Sequence, residues 1–300
     1  MDQSKTRSAY WDNIKGILML LTVFAHVLYQ LQDKSDILNG IVDGIYMFHM
    51  PAFVFVSGFF GKSERSHGFP AIIRLIFLYF VCNSIMGFIY GCHSLITPMY
   101  SFWYLLALIV WRLTTHHIAK FKEIRLILFA LALFAGFYGS IDNTFAVARI
   151  IGFYPFYMIG YQLSTEKAAA LVQKPYGRRC VLGLAAALVT GCIAFAAYRF
   201  FDYTDDSFIM AAYGHPIDAF GRIAIYAVAF GAIYALRLLS PDRPLPLLTM
   251  IGRNSLWIFL LHRPFTLMLS DRIEKLPVPA VIAIACAAAI LLCVLFGNEL

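Results

Sequence analysis

A lysine and a histidine stand at the two ends of one apolar run, WDNIKGILMLLTVFAH, at residues 11–26. Lys15 and His26 are eleven positions apart. On an α-helix this is about three turns, so both side chains point the same way, roughly 16 Å apart along the axis. An imidazole can accept a proton from a reacting hydroxyl, and a lysine at a helix end can bind an anion or snorkel to lipid phosphates. The spacing indicates chemistry that uses a cation at one depth and an imidazole at another.

The composition places these residues in a membrane. Of the 300 residues, 61% are hydrophobic and 14% are charged, and the mean hydropathy is +0.73, which is too little charge for a soluble domain. Apolar runs of about twenty residues recur from end to end, and each can cross a bilayer. We predict an all-α, polytopic transmembrane helix bundle that forms one integral-membrane domain over residues 1–300. About ten spans are expected, at 14–32, 41–61, 70–91, 102–119, 125–139, 144–163, 180–200, 217–239, 247–269 and 278–296.

The first apolar run and the cysteines do not change this prediction. The first apolar run is expected to be retained as a span, because it is long, lacks a small-x-small cleavage site and carries His26. The cysteine spacing offers neither a metal site nor a disulfide framework, so the cysteines are expected to pack as small apolar residues. They are Cys82, Cys92, Cys180, Cys192, Cys286 and Cys293.

The charge distribution orients the chain. With the N-terminus inside, most lysines and arginines fall at the cytoplasmic helix ends, whereas Asp202, Asp205 and Asp206 gather in an outer loop. This asymmetry predicts a multi-pass protein of the plasma (bacterial inner) membrane with both termini cytoplasmic. It also accounts for the net charge of +7 without a nucleic-acid partner. A basic cytoplasmic face suits anionic lipid headgroups or a phosphate-rich small molecule.

Three histidines fall at similar depth in three predicted spans. His26, His49 and His262 all lie in the outer half of the membrane by residue count, and an ionisable residue there requires a cavity or a partner. We therefore expect one shared polar site rather than three unrelated histidines that each bond a different carbonyl. Arg149 falls at the same depth early in its span, and Ser255 shares a helical face with His262, seven residues away.

Five segments resemble, in order, those of a known family. They are WDNIKGILMLLTVFAH, FHMPAFVFVSGFF, FWYLLAL, RIIGFYPFYMIGY and IGRNSLWIFLLHRPF. The first is similar to the first span of the membrane acyltransferase type 3 superfamily, whose signature there is a basic residue, ten intervening residues and a histidine. The second resembles the second-span motif of the fucose 4-O-acetylase-like branch. The resemblance covers essentially the whole chain.

The resemblance implies transfer of an acyl group, usually acetyl, from cytoplasmic acyl-CoA to a hydroxyl of an extracytoplasmic glycan or glycolipid. Acetyl-CoA is then a co-substrate and no cofactor is bound; the other partners are the acceptor and membrane lipid. Lys15 and Arg74 are the expected acyl-CoA-binding residues. Family members often carry paired arginines on the third span, whereas AIIRLIFLYF here offers only Arg74, which leaves the contacts to the CoA phosphates open.

The expected mechanism is direct transfer. Neutral His26 takes the proton of the acceptor hydroxyl as general base, and His49 or Arg149 stabilises the oxyanion or orients the acceptor. An acyl-histidine intermediate is the alternative. A transporter that uses the histidines as proton relays, or an inactive subunit of an export complex, are the competing functions. The expected acceptor-binding residues are Trp103, His262 and Ser255.

Overall fold

The computed structural model describes residues 8–91, 96–138, 145–201, 203, 205–208, 210, 213 and 217–298. Cys92 and Asp202 lie outside them, as do the side chains of Asp205 and Asp206. The described part of the chain is helical, with no strand. Its α-helices are α1 Ala9–Leu28, α2 Asp36–Tyr46, α3 His49–Gly61, α4 Glu64–His67, α5 Phe69–Tyr90, α6 Trp103–Ile118, α7 Ile124–Phe134, α8 Val147–Gln162, α9 Thr165–Val172, α10 Tyr176–Phe200, α11 Asp205–Phe208, α12 Asp218–Leu239, α13 Pro246–Arg253, α14 Ser255–Ile273 and α15 Val278–Gly297.

The all-α prediction is confirmed, and a helix lies at the position of every expected span. Within the described residues, six helical segments are long and apolar enough to cross a membrane. The remaining predicted spans fall on shorter or less apolar helices such as α6 and α8, so the number of about ten crossings stays a prediction. The six are Ala9–Lys34, Asp36–Gly61, Phe69–Tyr90, Tyr176–Phe200, Asp218–Leu239 and Val278–Gly297.

Several long helices leave large apolar side chains uncovered by protein. Phe77 on α5 is 64% exposed, and Leu188 and Phe195 on α10 are each 70% exposed. In water such surfaces would drive aggregation, but in a bilayer they are covered by acyl chains. Because these helices satisfy their backbone hydrogen bonds internally, they are suited to that environment.

Two predicted spans are interrupted. The span predicted at 41–61 breaks between Tyr46 and His49, where the ring of Pro51 would meet the carbonyl of Met47 and cannot donate to it. The span predicted at 247–269 breaks at Asn254, whose side-chain amide donates to the Gly297 carbonyl at 2.6 Å. Each break lies close to a residue that the sequence singled out, His49 or Ser255.

Contacts divide the chain into two compact units, and each is described separately. The first unit comprises Met1–His49, Ala169–Leu188 and Gly231–Leu300. In it, α1 packs against α2, α13, α14 and α15. The crossing of α1 and α13 is close enough to require glycine: a Cβ on Gly16 would lie 2.2 Å from the Leu248 carbonyl oxygen, and one on Gly252 would lie 1.8 Å from that of Asp12. This crossing holds the N-terminal half of α1 against α13.

The second unit comprises Met50–Ala168 and Val189–Phe230. In it, α6 packs against α5 and α8, and α7 packs against α8. Aromatic side chains fill much of this interior, and Trp111 and Tyr157 are fully buried with ring centroids 5.3 Å apart. Trp111 of α6 donates its indole N–H to the Ile150 carbonyl of α8 at 3.0 Å, so its one polar group has a hydrogen-bond partner.

Candidate functional site

The first unit brings the three predicted histidines together. His26 from the last turns of α1 and His262 from the middle of α14 lie with Nδ1 of His26 2.8 Å from Nε2 of His262. Their rings are nearly parallel, with an interplanar angle of 12° and centroids 5.1 Å apart. His49, the first residue of α3, presents its ring edge-on to His26 at 6.4 Å. All three are buried.

An aromatic residue that the sequence did not single out completes this cluster. The ring of Tyr46 lies 4.9 Å from that of His49 and 6.2 Å from that of His26, centroid to centroid. Tyr29 stacks on Tyr46 at 5.4 Å with an interplanar angle of 10°. Tyr46 is three residues before His49 and ends α2, so its position follows from the break in the predicted span.

The hydrogen bonds of the cluster determine which ring nitrogens carry protons. Inside an apolar helix bundle an imidazole is expected in its neutral form, with a single N–H. His262 Nδ1 lies 2.9 Å from the Ile258 carbonyl, and His49 Nδ1 lies 2.9 Å from that of Ile45. A carbonyl oxygen only accepts, so both Nδ1 atoms carry the N–H and both Nε2 atoms carry a lone pair.

The same reasoning extends to His26. Because Nε2 of His262 carries a lone pair, the 2.8 Å contact requires Nδ1–H of His26 to donate to it. The single N–H of His26 is therefore at Nδ1, and its Nε2 carries a lone pair able to accept a proton. This is the protonation state that a general base needs.

Two further contacts fasten α14 to α1 around the histidine pair. Arg263, next to His262, donates from Nη1 to the His26 carbonyl at 3.4 Å. Ser270 donates its hydroxyl to the Val27 carbonyl at 2.8 Å. Both side chains are buried. The direct neighbour of His262 in sequence thus bonds the backbone of His26, a contact that only the pairing of α1 with α14 reveals.

Lys15, the predicted cation at the other end of α1, lies in a charged cluster. Its ammonium is 2.7 Å from a carboxylate oxygen of Asp12, and the side chain is 18% exposed. The other oxygen of Asp12 lies 3.7 Å from Nε of Arg253 on α13. Asp12 is buried between the two cations. Sequence reasoning missed Asp12 and Arg253 as a pair because their contact depends on the α1–α13 crossing.

A cavity opens beside this cluster. Its volume is about 440 Å³, and its lining includes Thr249, Met250, Arg253, Asn254 and Asn298. The Arg253 side chain is 50% exposed, so its guanidinium can meet a ligand as well as Asp12. A cavity of this size with a few convergent polar groups is within the range that binds small molecules.

In the second unit, the structure pairs Trp103 with Arg149. The guanidinium carbon of Arg149 lies 5.5 Å from the centroid of the Trp103 ring, a cation–π arrangement. Phe153 stacks on Trp103 at 5.1 Å, and Trp103 is buried, 6% exposed. Two residues that were predicted from separate segments thus lie side by side at the N-terminal ends of α6 and α8.

The last two predicted residues lie apart from these contacts. Arg74 is in the second turn of α5 in the second unit, with its side chain exposed. Ser255 is the first residue of α14 and is partly exposed. It is seven residues, or roughly 10 Å along the helix, from His262.

The described residues define an all-helical membrane protein with a buried imidazole pair, in which the hydrogen bonds leave a lone pair on Nε2 of His26. The model of the acyltransferase 3 family, described as an acyltransferase domain, matches residues 8–298. The chain belongs to that family and is a multi-pass membrane acyltransferase. The superfamily resemblance is thereby confirmed, and the fucose 4-O-acetylase-like branch stays a prediction. No curated protein and no solved structure gives a significant match to the chain.

Proposed function

We propose that this acyltransferase moves an acetyl group from cytoplasmic acetyl-CoA to a hydroxyl of an extracytoplasmic glycan or glycolipid, with His26 as general base. The observation that carries the proposal is the hydrogen bond between His26 Nδ1 and His262 Nε2 at 2.8 Å. It leaves Nε2 of His26 with a lone pair inside a buried site, where a proton acceptor is otherwise rare. Acetyl-CoA acts as co-substrate, and the chemistry needs no bound metal or cofactor.

The proposed step balances as a direct acyl transfer. The acceptor O–H gives its proton to His26 Nε2 while the oxygen attacks the thioester carbonyl carbon. The tetrahedral intermediate collapses with cleavage of the C–S bond, and the departing thiolate takes the proton back from His26. The products are an acetate ester and free CoA thiol, and His26 returns to its starting form.

His49 is suited to the acceptor rather than to the oxyanion. In its neutral form its one N–H is donated to the Ile45 carbonyl, so Nε2 can accept a hydrogen bond but not donate one. We propose that it accepts from a hydroxyl of the glycan and so orients it. Arg149, the other residue predicted to stabilise the oxyanion, has a guanidinium that always carries donors, and this role stays a prediction from the sequence.

The donor end is assigned to the charged cluster on α1 and α13. Lys15 and Arg253 share one carboxylate, Asp12, so the three groups together keep a net positive charge beside the cavity of about 440 Å³. We propose that this cavity takes the phosphate-bearing part of CoA and that the pantetheine arm runs along α1 toward His26. Arg74, which lies in the second unit, stays a phosphate-binding residue predicted from sequence.

The acceptor end is assigned to Trp103 and Arg149, which lie in the second unit, and Ser255 stays an acceptor-binding residue predicted from sequence. An indole ring suits packing against the apolar face of a sugar ring, and a guanidinium can donate to sugar hydroxyls. The proposed location is the plasma membrane with both termini cytoplasmic. A reporter fused after residue 300 should read cytoplasmic and one in the 202–215 segment external; reversed readings would exchange the donor and acceptor sides.

The test uses purified protein with acetyl-CoA and a thiol reagent that detects released CoA. We expect slow thiol release without an acceptor and faster release with a hydroxyl-rich glycan, both lost in His26→Ala. Removal of a general base typically lowers the rate about a hundredfold to ten-thousandfold. Ser270→Ala, which removes a bond to the neighbouring Val27 carbonyl but no imidazole, is the matched control and should keep most of the activity.

The outcomes separate the competing functions. His26-dependent thiol release supports an acyltransferase mechanism, whereas glycolipid movement across vesicles without any thioester cleavage would instead support the transporter. An acetyl group trapped on His26 after rapid quenching would select the acyl-histidine route over direct transfer. Turnover in His26→Ala equal to that of the unmodified protein would remove His26 from the mechanism.

A further inference from the structure

We infer that His262 is a positioning residue that selects the catalytic tautomer of His26; the inference rests on the proposed function of His26 as general base. His262 is fully buried, and its Nδ1–H is donated to the Ile258 carbonyl one helical turn earlier. That bond turns a lone pair of Nε2 toward His26 Nδ1 at 2.8 Å. The sequence placed His262 among the acceptor-binding residues, and the geometry points to a different role.

The argument starts from the two tautomers of a neutral histidine. Without a partner, the proton of His26 can reside on either ring nitrogen, and only the Nδ1–H form offers Nε2 as a base. A hydrogen-bond acceptor at Nδ1 removes that ambiguity, which is how a third group orients the base in hydrolytic triads. Here the acceptor is a second imidazole, and the α-helical carbonyl of Ile258 fixes its own tautomer in turn.

The pair also serves the step after proton transfer. When Nε2 of His26 takes the acceptor proton, the ring becomes an imidazolium whose Nδ1–H still donates to His262 Nε2. A hydrogen bond from a charged donor is stronger than one between neutral groups, so His262 stabilises the charged intermediate. The near-parallel rings and the bond from Arg263 to the His26 carbonyl hold this geometry.

The test compares substitutions of His262 that differ in hydrogen-bonding character. His262→Gln places a side-chain carbonyl where Nε2 stood and can still accept from His26 Nδ1, so it should keep activity within about tenfold. His262→Leu offers no acceptor and should lower kcat by about 10- to 100-fold, with KM for acetyl-CoA unchanged. His262→Arg offers only donors, because a guanidinium stays protonated when buried; this forces the proton of His26 onto Nε2, so its activity should approach that of His26→Ala.

The series distinguishes the failure of this inference from failure of the proposed function. If His26→Ala is inactive but His262→Leu turns over like the unmodified protein, His262 does not position the base. Equal losses in His262→Gln and His262→Leu would also overturn the inference, because a purely structural role predicts no rescue by an acceptor. If His262→Leu does not remain monodisperse, the comparison of His262→Gln with His262→Arg decides. An active His26→Ala contradicts the proposed function itself.

Discussion

Substitution of Gly16 by alanine should loosen the helix crossing that holds the charged cluster of Asp12, Lys15 and Arg253. The added Cβ would lie 2.2 Å from the backbone oxygen of Leu248 and 3.0 Å from its Cα. Backbone atoms cannot rotate away as a side chain can, so α1 and α13 must separate by more than an ångström for normal contact. Overpacking of this kind typically costs about 1–3 kcal/mol.

Gly44 supplies the matched control, because it also lies in a helix of the first unit and a Cβ there meets nothing within 4 Å. Gly44→Ala should be neutral or stabilising by about 0.5–1 kcal/mol, the difference in helix propensity. Thermal unfolding of both variants in one detergent, followed by size-exclusion chromatography, measures the difference. At about 2–4 °C per kcal/mol, Gly16→Ala should lower the midpoint by several degrees. Equal midpoints for the two variants would refute the close crossing.

Three further predictions concern the residues proposed to bind the donor and the acceptor. Lys15→Ala and Arg74→Ala should each weaken acetyl-CoA binding in an isotherm, since a charge-assisted phosphate contact contributes roughly 1.5–3 kcal/mol; unchanged affinity would leave Lys15 as a snorkelling residue. Asp12→Asn removes the ion pair but keeps both cations, so donor affinity should hold or rise; a loss matching that of Lys15→Ala would mean that the pair is structural. Trp103→Ala should impair transfer to the glycan yet leave acetyl-CoA hydrolysis unchanged, and parallel losses of both activities would make Trp103 a packing residue.

Much of the fold could be predicted because long, strongly apolar runs indicate membrane helices. Continuous apolar runs gave helices at all of the expected positions, since each backbone polar group in lipid must be satisfied within its own segment. The breaks at Met47 and at Asn254 are harder to place. Pro51 signals the first, but the second depends on the Gly297 carbonyl, which lies in a helix distant in sequence.

The histidine cluster could be predicted from the sequence in part. The charge asymmetry predicts the direction of each span, and counting residues then gives the depth of each histidine in the membrane. This reasoning brought His26, His49 and His262 to one level, and the structure places them in contact. The same reasoning could not predict the direction of the hydrogen bonds between them. Which imidazole donates and which accepts depends on local carbonyls, such as that of Ile258 for His262, and these follow from rotamers rather than from spacing.

The contacts of Lys15 could not be predicted from the sequence. Its spacing from His26 is readable in the sequence, but Asp12 three residues earlier was not expected to bridge it to Arg253. That bridge exists only because Gly16 and Gly252 let α1 and α13 approach closely. Long-range packing therefore decides whether the cation stands alone at the membrane surface or belongs to a buried network.

The most direct test of the central claim follows an acetyl group from donor to acceptor. Inverted membrane vesicles containing the protein are supplied with acetyl-CoA radiolabelled in the acetyl group, and the glycan and glycolipid fraction is isolated. We predict label that is released by mild base, as an O-acetyl ester should be, and that is absent when the vesicles contain His26→Ala. Equal labelling with His26→Ala, or label that resists mild base, would contradict His26-dependent O-acetyl transfer.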